Sequence, residues 1–529
     1  SATVKNAREI ALWLNASVVE SSYRPVKLRE GVLYSGKIIF SDGEVVELSS
    51  SYPSEIALVE DTLKLGKQIL IFTSTRKSAE TLASNLKGVV SQFLSEENKR
   101  VLADASQEVL SALETPTEQC RRLAECVRHG VAFHHAGLVG KQRTLVEKLF
   151  KEGALKVICA TPTLAAGVNL PAFRVLIRDV RRYAYPHGMS YIPVLEYQQM
   201  AGRAGRPRYD KEGQAIILAR KESEIEKFMN MYVHGECEEI YSRLAVYPVL
   251  RMHVLGLIAS GYSSLSSISS FISKTLYAYQ YGNTSYIEDI LEDILEDLCR
   301  FGMIVVSDEK IVATGIGKRT SELYLDPESA YKMLKARYES DISLLYTLCS
   351  LREMMPHPYV KEREEAELYA VAEKHGFDGS DIDISAFKLA LVFYEWINEA
   401  DEKYLSEKYG VTPGELYGRI EIMDWLLYSV AELWKIVGKD VKSVEVLRER
   451  VKYGVRKELL PLVRIRFIGR KRARKLWNWG IRSVEDLRKC SLTQLSSIIG
   501  EKTAKKVKEE VEGGSSKSEY LIIIFVVEI

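Results

Sequence analysis

Two arginines three positions apart follow a glutamine in Gln199-Met200-Ala201-Gly202-Arg203-Ala204-Gly205-Arg206-Pro207. A guanidinium offers forked donors that match phosphate oxygens, and it can offset charge on a γ-phosphoryl group in transfer. On a helix Gln199, Arg203 and Arg206 would share a face able to reach a polyphosphate; a structural salt bridge is the plainer use of such a pair. A second signal lies near the end of the chain. Ile468-Gly469-Arg470-Lys471-Arg472-Ala473-Arg474-Lys475-Leu476 and Ile499-Gly500-Glu501-Lys502-Thr503-Ala504-Lys505-Lys506-Val507 share the form I-G-x-K-x-A-[KR]-K-[LV]. In each copy an apolar residue and a glycine precede a basic helix, so backbone N–H groups at a positive helix N-terminus can face a phosphate while Lys and Arg add charge. Fourteen Lys or Arg stand between positions 462 and 508, against Glu485, Asp486 and Glu501. The plainer reading of such a run is a solvated charged face.

These residues must be carried by several domains, since 529 residues at roughly 150 per domain predict three or four. Charged residues make up 27% and hydrophobic ones 46%, which excludes collagen-like and wholly disordered classes. Lys and Arg number 73 against 72 Asp and Glu, so the near-neutral total hides the basic end. From 68 to 219, short β-rich runs at 69–73, 130–134, 156–160, 174–177 and 215–219 alternate with helical stretches, which predicts a parallel α/β sheet. From about Tyr241 the pattern is helical, with Ser-rich turns at 263–270 and β-like runs at 303–307 and 311–314. Three helices closed by that hairpin would make a winged-helix module. From 324 to about 451 the chain reads as helix almost throughout, and a bundle is the simplest architecture.

Seven scattered cysteines form no C-x-x-C pair, so neither a disulfide framework nor a zinc site is expected, and the compartment reads as reducing and cytoplasmic. His134 and His135 lack partners at ligand spacing, and no metal ligand set is assigned. The longest apolar run, 521–527, is too short to span a bilayer.

Ahead of the arginine motif stand Ile69-Leu70-Ile71-Phe72-Thr73-Ser74-Thr75-Arg76, Phe133-His134-His135-Ala136-Gly137-Leu138 and the segment Ala160-Thr161-Pro162-Thr163-Leu164-Ala165-Ala166-Gly167-Val168-Asn169-Leu170-Pro171. With Q-x-x-G-R-x-x-R, their order and spacing resemble the second motor domain of superfamily 2 helicases. The likeness is to the Ski-two-like branch and, within it, to the archaeal DNA helicases of the Hjm type, related to the helicase half of DNA polymerase theta. Ser1-Ala2-Thr3 resembles the motif that ends the first motor domain, and the terminal repeats resemble tandem helix-hairpin-helix units.

The resemblance implies a multidomain protein: an α/β RecA-like motor domain, then a winged helix, an all-α ratchet bundle and a helix-hairpin-helix domain. It divides the chain into a remnant of the first motor domain (1–20), the second motor domain (21–238), the winged helix (239–322), the bundle (323–455), the helix-hairpin-helix domain (456–512) and a tail (513–529). It further implies that Gln199, Arg203 and Arg206 act catalytically on nucleotide, with Gly167, Asn169 and Gly202 beside it. Thr73, Ser74, Arg76, His135, Gly137, Thr161 and Thr163 would hold the phosphates of one strand without reading sequence. The segment 179–192 reads as two short strands about a Pro-His-Gly turn; in the family a hairpin here splits the duplex, and Tyr183 and Tyr185 suit stacking on the last base pair. Gly469, Arg470, Arg472, Arg474, Gly500 and Lys502 would bind DNA, the family's R-x-R-A-R element falling on 470–474. The terminal repeats favour DNA over RNA.

Along 413–437, Leu416, Ile420, Met423, Leu427, Val430, Trp434 and Val437 form an apolar stripe at helical spacing. Trp425 points about 160° from it, on the side shared with Gly418, Glu421, Ser429 and Glu432. Another bundle helix could cover the ring; the resemblance implies a base-stacking ratchet residue, with Arg419 as a DNA contact near it.

No G-x-x-x-x-G-K-[ST] and no D-E-x-[HD] occurs in the sequence; both cradle nucleotide phosphates and hold Mg²⁺. The expectation is therefore an ATP- and Mg²⁺-dependent 3′–5′ DNA helicase of which this chain is the C-terminal part, inactive alone because its metal ligands lie in a missing N-terminal part. Such an enzyme would act as a monomer on single-stranded and forked DNA in replication-fork repair and recombination, with fork proteins as partners, nucleoid-associated and off the membrane. A non-catalytic DNA-binding fragment and an RNA helicase of the same branch are the alternatives.

Overall fold

Four-residue runs, apolar except for His134 and Arg174 and buried on both faces, form the centre of the largest sheet, the pattern expected of parallel strands covered by helices. The computed structural model describes residues 4–21, 23–113, 116–167, 169–184, 188–207, 209–282, 284–307, 310–378 and 382–512. The Ser1-Ala2-Thr3 motif, Tyr185 and the apolar run at 521–527 lie outside them. The chain divides into two units, Ser1–Pro327 with Val411–Gly418, and Glu328–Gly410 with Arg419–Ile529.

In the first unit the strands are β1 (Lys27–Tyr34), β2 (Lys37–Phe40), β3 (Val45–Glu47), β4 (Ile69–Phe72), β5 (Val131–His134), β6 (Val157–Ala160), β7 (Arg174–Ile177), β8 (Arg181–Ala184), β9 (Gly188–Tyr191) and β10 (Glu212–Leu218). Eight of them form one sheet in the order β3-β2-β1-β10-β7-β4-β6-β5. From β1 to β5 every pairing is parallel, and β2 and β3 extend the sheet as an antiparallel hairpin. The expected strands are present, the last beginning at Glu212 rather than 215. Helices Arg76–Ser91, Glu118–Arg128 and Gly140–Lys151 cover β5 and β6. The core they close holds Phe72, Phe133, Phe150, Leu58 and Ile69 with less than 2% exposure, each contributing about 1.5–3 kcal/mol relative to an exposed side chain.

The winged helix follows. Its helices are Tyr247–Ala259, Leu265–Ile272, Leu276–Tyr281 and Thr284–Arg300, closed by β11 (Ile304–Ser307) and β12 (Lys310–Ala313) in antiparallel register. Among the described residues four helices precede the hairpin rather than the expected three. The Ser-rich stretch is one of them and not a turn, because Ser264 caps it and exchanges bonds with Ser267 in a capping box. Arg251, 3% exposed, donates to Asp297 at 2.9 Å and to both carboxylate oxygens of Asp326 at 2.9–3.0 Å. A charge buried this deeply needs such pairing.

The second unit begins as a helical bundle. Its most buried helix, Ile384–Ile397, presents Phe387, Leu389, Val392 and Phe393 to the interior, and Trp396 Nε1 donates to the Val451 carbonyl at 2.7 Å. In helix Pro413–Ile436 the expected stripe from Leu416 to Trp434 is buried, but two expectations fail. Val437 lies past the helix end and is exposed, and Ser429, placed on the opposite side, is fully buried. The buried face is wider than the stripe because Leu426 and Leu433 also enter the core, and the Ser429 hydroxyl is satisfied within the helix by the Trp425 carbonyl at 2.8 Å.

Beyond Val455 stand helices Leu460–Val463, Arg470–Asn478, Val484–Lys489, Leu492–Ile499 and Glu501–Glu512 around their own core. The repeat is structural as well as sequential: Gly469 and Gly500 each precede a basic helix and accept from Ala473 and Ala504 N–H at 2.9 Å. Both alanines are fully buried.

Candidate nucleic-acid interface

Because β4, β6 and β5 are parallel neighbours with Phe72, Ala160 and His134 in register, the residues after each strand emerge along one edge. There the structure brings together Thr73, Ser74 and Arg76 after β4, His135 and Gly137 after β5, and Thr161 and Thr163 after β6. In open α/β sheets this carboxyl edge is where ligands bind. Thr73 is buried and its hydroxyl donates to the Thr75 carbonyl at 3.2 Å. The Ser74 N–H donates to Asp179 Oδ2 at 3.2 Å, and the Thr161 and Thr163 hydroxyls share a 2.9 Å hydrogen bond. Thr163 is exposed, Ser74 and Arg76 half-buried.

His135 is fully buried, stacked on Phe133 with centroids 5.5 Å apart. Its Nδ1 accepts the Gly137 N–H at 3.1 Å, which fixes the turn, and its Nε2 stands 3.3 Å from Glu80 Oε1. Burial pushes the Glu80 carboxyl up, but His135, Gln119 and Arg122 around it hold it below its ordinary value. The Gly137 carbonyl also accepts from the N–H of Gly414 at 3.1 Å. A Cβ on Gly414 would collide with the carbonyls of Ala136 and Leu138. Beside this contact Arg76 Nη1 pairs with Glu415 at 2.6 Å.

The arginine motif does not sit on a helical face as expected. Helix Val194–Ala201 ends with Gly202 as its cap, and the chain then pairs Ala204 with Ala172 in an isolated parallel bridge. Gly205 makes this possible: its φ is +90°, a Cβ on it would strike the Val26 side chain, and a Cβ on Gly213 would collide with the Ala204–Gly205 backbone. Gln199 and Gly202 are exposed. Arg203 reaches the Ala165 carbonyl with Nε at 3.1 Å and also with Nη2. No carboxylate lies within 4 Å of it among the described residues, and burial lowers its pKa. A guanidinium in that state suits an incoming anion. Arg206 is instead occupied by Asp210, Nε to Oδ2 at 2.9 Å, and by Gln68 Oε1 at 2.7 Å. Gly167 closes the short helix Thr163–Gly167 and Asn169 is exposed; Val168 between them lies outside the described residues.

Strands β8 and β9 pair antiparallel from Arg181↔Tyr191 to Ala184↔Gly188, so a hairpin stands where one was expected. Tyr183 lies on β8, paired with Met189. In the second unit Trp425 is half-buried, and Arg419 donates to the Met354 carbonyl at 3.0 Å and to that of Pro356 at 2.6 Å. The R-x-R-A-R arginines part ways. Arg470 pairs with Glu402 at 2.9 Å and lies 4.1 Å over the Trp396 ring, and Arg474 pairs with Glu399 and Glu458. Arg472 and Lys502 are exposed. Gly469 is half-buried and Gly500 exposed.

Asp179, Glu80, Gln68 and Asp210 were missed by sequence reasoning. Asp179, Glu80 and Gln68 have partners distant in sequence that only the sheet order brings near, whereas Asp210 stands four residues after Arg206 and also meets the distant Lys67.

Residues 89–208 match the helicase conserved C-terminal domain, 342–454 the archaeal helicase domain 4, and 459–512 a SAM-like helix-hairpin-helix tandem. The chain is 40% identical to the ATP-dependent DNA helicase Hel308 of Pyrococcus horikoshii, over 94% of the chain and 71% of that protein. It is 39% identical to that of Pyrococcus abyssi over the same shares, and 37% identical to that of Methanocella arvoryzae over 97% of the chain and 72% of that protein. A sequence so alike along almost its whole length, with the motor, bundle and hairpin regions in this order, belongs to the Hel308 family of archaeal superfamily 2 DNA helicases.

Proposed function

We propose that the chain grips and moves single-stranded DNA in an ATP-dependent 3′–5′ DNA helicase that opens forked or lagging-strand duplexes during replication-fork repair and recombination. The observation that carries this reading is the row Thr73, Ser74, His135, Gly137, Thr161 and Thr163 along one sheet edge, in a chain that shares its family with proteins named ATP-dependent DNA helicase. Hydroxyls and backbone N–H groups at a strand edge bind phosphates regardless of base. Arg203, without a carboxylate within 4 Å among the described residues, meets a nucleotide phosphate, with Gln199 and Gly202 exposed on the same segment, Gly167 at the end of the short helix that carries Ala165 and Asn169 beyond it. Arg206 acts through Asp210 to hold that segment. When bound, ATP with Mg²⁺ supplies the phosphoryl transfer that drives movement. The 529 residues hold no phosphate-cradling or metal-holding motif, so the chain by itself hydrolyses no ATP.

The helix-hairpin-helix tandem supports DNA rather than RNA as substrate. Tyr183, on the β8–β9 hairpin, and Tyr185, which lies outside the described residues, open the duplex, and Trp425 and Arg419 contact the strand. The protein acts as a monomer beside replication-fork proteins at the nucleoid; among the described residues no helix is long and apolar enough to cross a membrane. Unwinding of partial duplexes by a protein that also carries the phosphate-cradling motor half tests this. Opening of substrates with a 3′ overhang and not those with a 5′ overhang is expected; opening from 5′ overhangs alone, or equal activity on RNA, would refute it.

A further inference from the structure

The terminal domain holds an exposed aromatic that neither the repeat nor the R-x-R-A-R element accounts for. Phe467 is 38% exposed and occupies the left-handed region at φ 72°, uncommon for a bulky residue. Two cations lie over its ring, Arg466 at 5.0 Å and Lys506 at 5.2 Å. Lys506 comes from the second repeat, so the two repeats meet at this ring. Arg472 donates to the Phe467 carbonyl at 3.2 Å. Among the described residues no carboxylate lies within 4 Å of Arg466, Arg472 or Lys506, whereas Arg464, Lys505 and Lys508 in the same domain are all paired.

Arg470 and Arg474 show the opposite arrangement. Their ion pairs to Glu402, Glu399 and Glu458 and the stacking of Arg470 on Trp396 tie the first hairpin helix to the bundle. The Arg470 and Glu402 side chains are 8% and 3% exposed. Arg470, buried and neutralised, and Arg474, held between two carboxylates, are engaged before any phosphate arrives.

We infer that Phe467, with Arg466, Arg472 and Lys506, forms a base-stacking site for single-stranded DNA, while Arg470 and Arg474 are positioning residues that fasten the domain. A flat ring takes any base, and unpaired cations beside it take the adjoining phosphates. The inference rests on the proposed DNA function and locates contacts that the motif alone would place on Arg470 and Arg474.

Binding of the full chain to labelled oligo-dT, measured by anisotropy across a salt series, tests it. Phe467→Leu should weaken binding about 5- to 100-fold, the range for loss of one stacked base, with the salt slope and melting temperature unchanged, and Phe467→Trp should restore affinity. Arg472→Ala and Lys506→Ala should each lower the slope of log K against log salt by about 0.7. Arg470→Ala should lower the melting temperature and leave the affinity of the folded protein within twofold. Unchanged affinity in Phe467→Leu, or a loss in Arg470→Ala without loss of stability, would overturn the inference while leaving DNA binding intact. Failure of the unmodified chain to bind oligo-dT would instead overturn the functional reading on which it rests.

Discussion

Arg76, two residues beyond Ser74 at the same sheet edge, is held by Glu415 across 2.6 Å, and Glu415 is fixed in turn by the N–H and hydroxyl of Thr412 at 3.0 and 2.8 Å. Burial raises the Glu415 carboxyl, but the Thr412 N–H and Arg76 bring it below its ordinary value, so it is ionised at neutral pH. On the proposed reading, this carboxylate competes with a DNA phosphate for Arg76. Glu415→Gln should therefore tighten single-strand binding by about 1.4- to 5-fold, the equivalent of a half-exposed ion pair worth about 0.2–1 kcal/mol. Titration with oligo-dT at low salt checks this, and weaker binding would show that Glu415 orients Arg76 for DNA instead of competing with it.

Trp425 is half-buried beside a core made by Met423, Leu426 and Leu427. As a stacking residue, its replacement by Ala should weaken single-strand binding by about tenfold or more and lower the base pairs opened per ATP, with no fall in melting temperature. Thermal melting alongside the binding titration separates the two readings: a large drop in stability with affinity intact would make Trp425 part of the bundle core.

A pH dependence follows from Glu364 and Lys388. Lys388 is 3% exposed and donates to Glu364 at 2.8 Å, which brings the Glu364 carboxyl down to about 2 from 4.5. Folding thus favours the ionised carboxylate. Its contribution is complete above about pH 4.5 and is lost as pH falls toward 2. Glu364→Gln should flatten this part of the acid limb in urea melts between pH 5 and 3, while an unchanged acid limb would place the titrating group elsewhere.

The parallel strands were legible because 69–72, 131–134, 157–160 and 174–177 are short and largely apolar, bounded by helical stretches. Strand β1 was not, since Lys27, Arg29, Glu30 and Gly31 break any apolar pattern. Arg29 lies in the sheet only because Asp42 and Glu44 of the following hairpin accept from it at 2.7–3.2 Å. The row at the sheet edge could be read residue by residue from the motifs. The orientation of the arginines could not, because it depends on Gly205 passing against Gly213 and on Asp210 claiming Arg206. Likewise the carboxylates that claim Arg470 and Arg474 include two about 70 residues upstream, Glu402 and Glu399.

The central claim, that this chain supplies the phosphate-facing arginine and the DNA track of a motor, is tested most directly by DNA-stimulated ATP hydrolysis in a protein carrying both motor halves. Arg203→Ala should cut turnover by about 10³ or more with single-strand affinity and melting temperature unchanged. Arg206→Ala should also lower stability, because Asp210, whose side chain is 1% exposed, loses its bidentate partner. Turnover near that of the unmodified protein in Arg203→Ala would contradict the account.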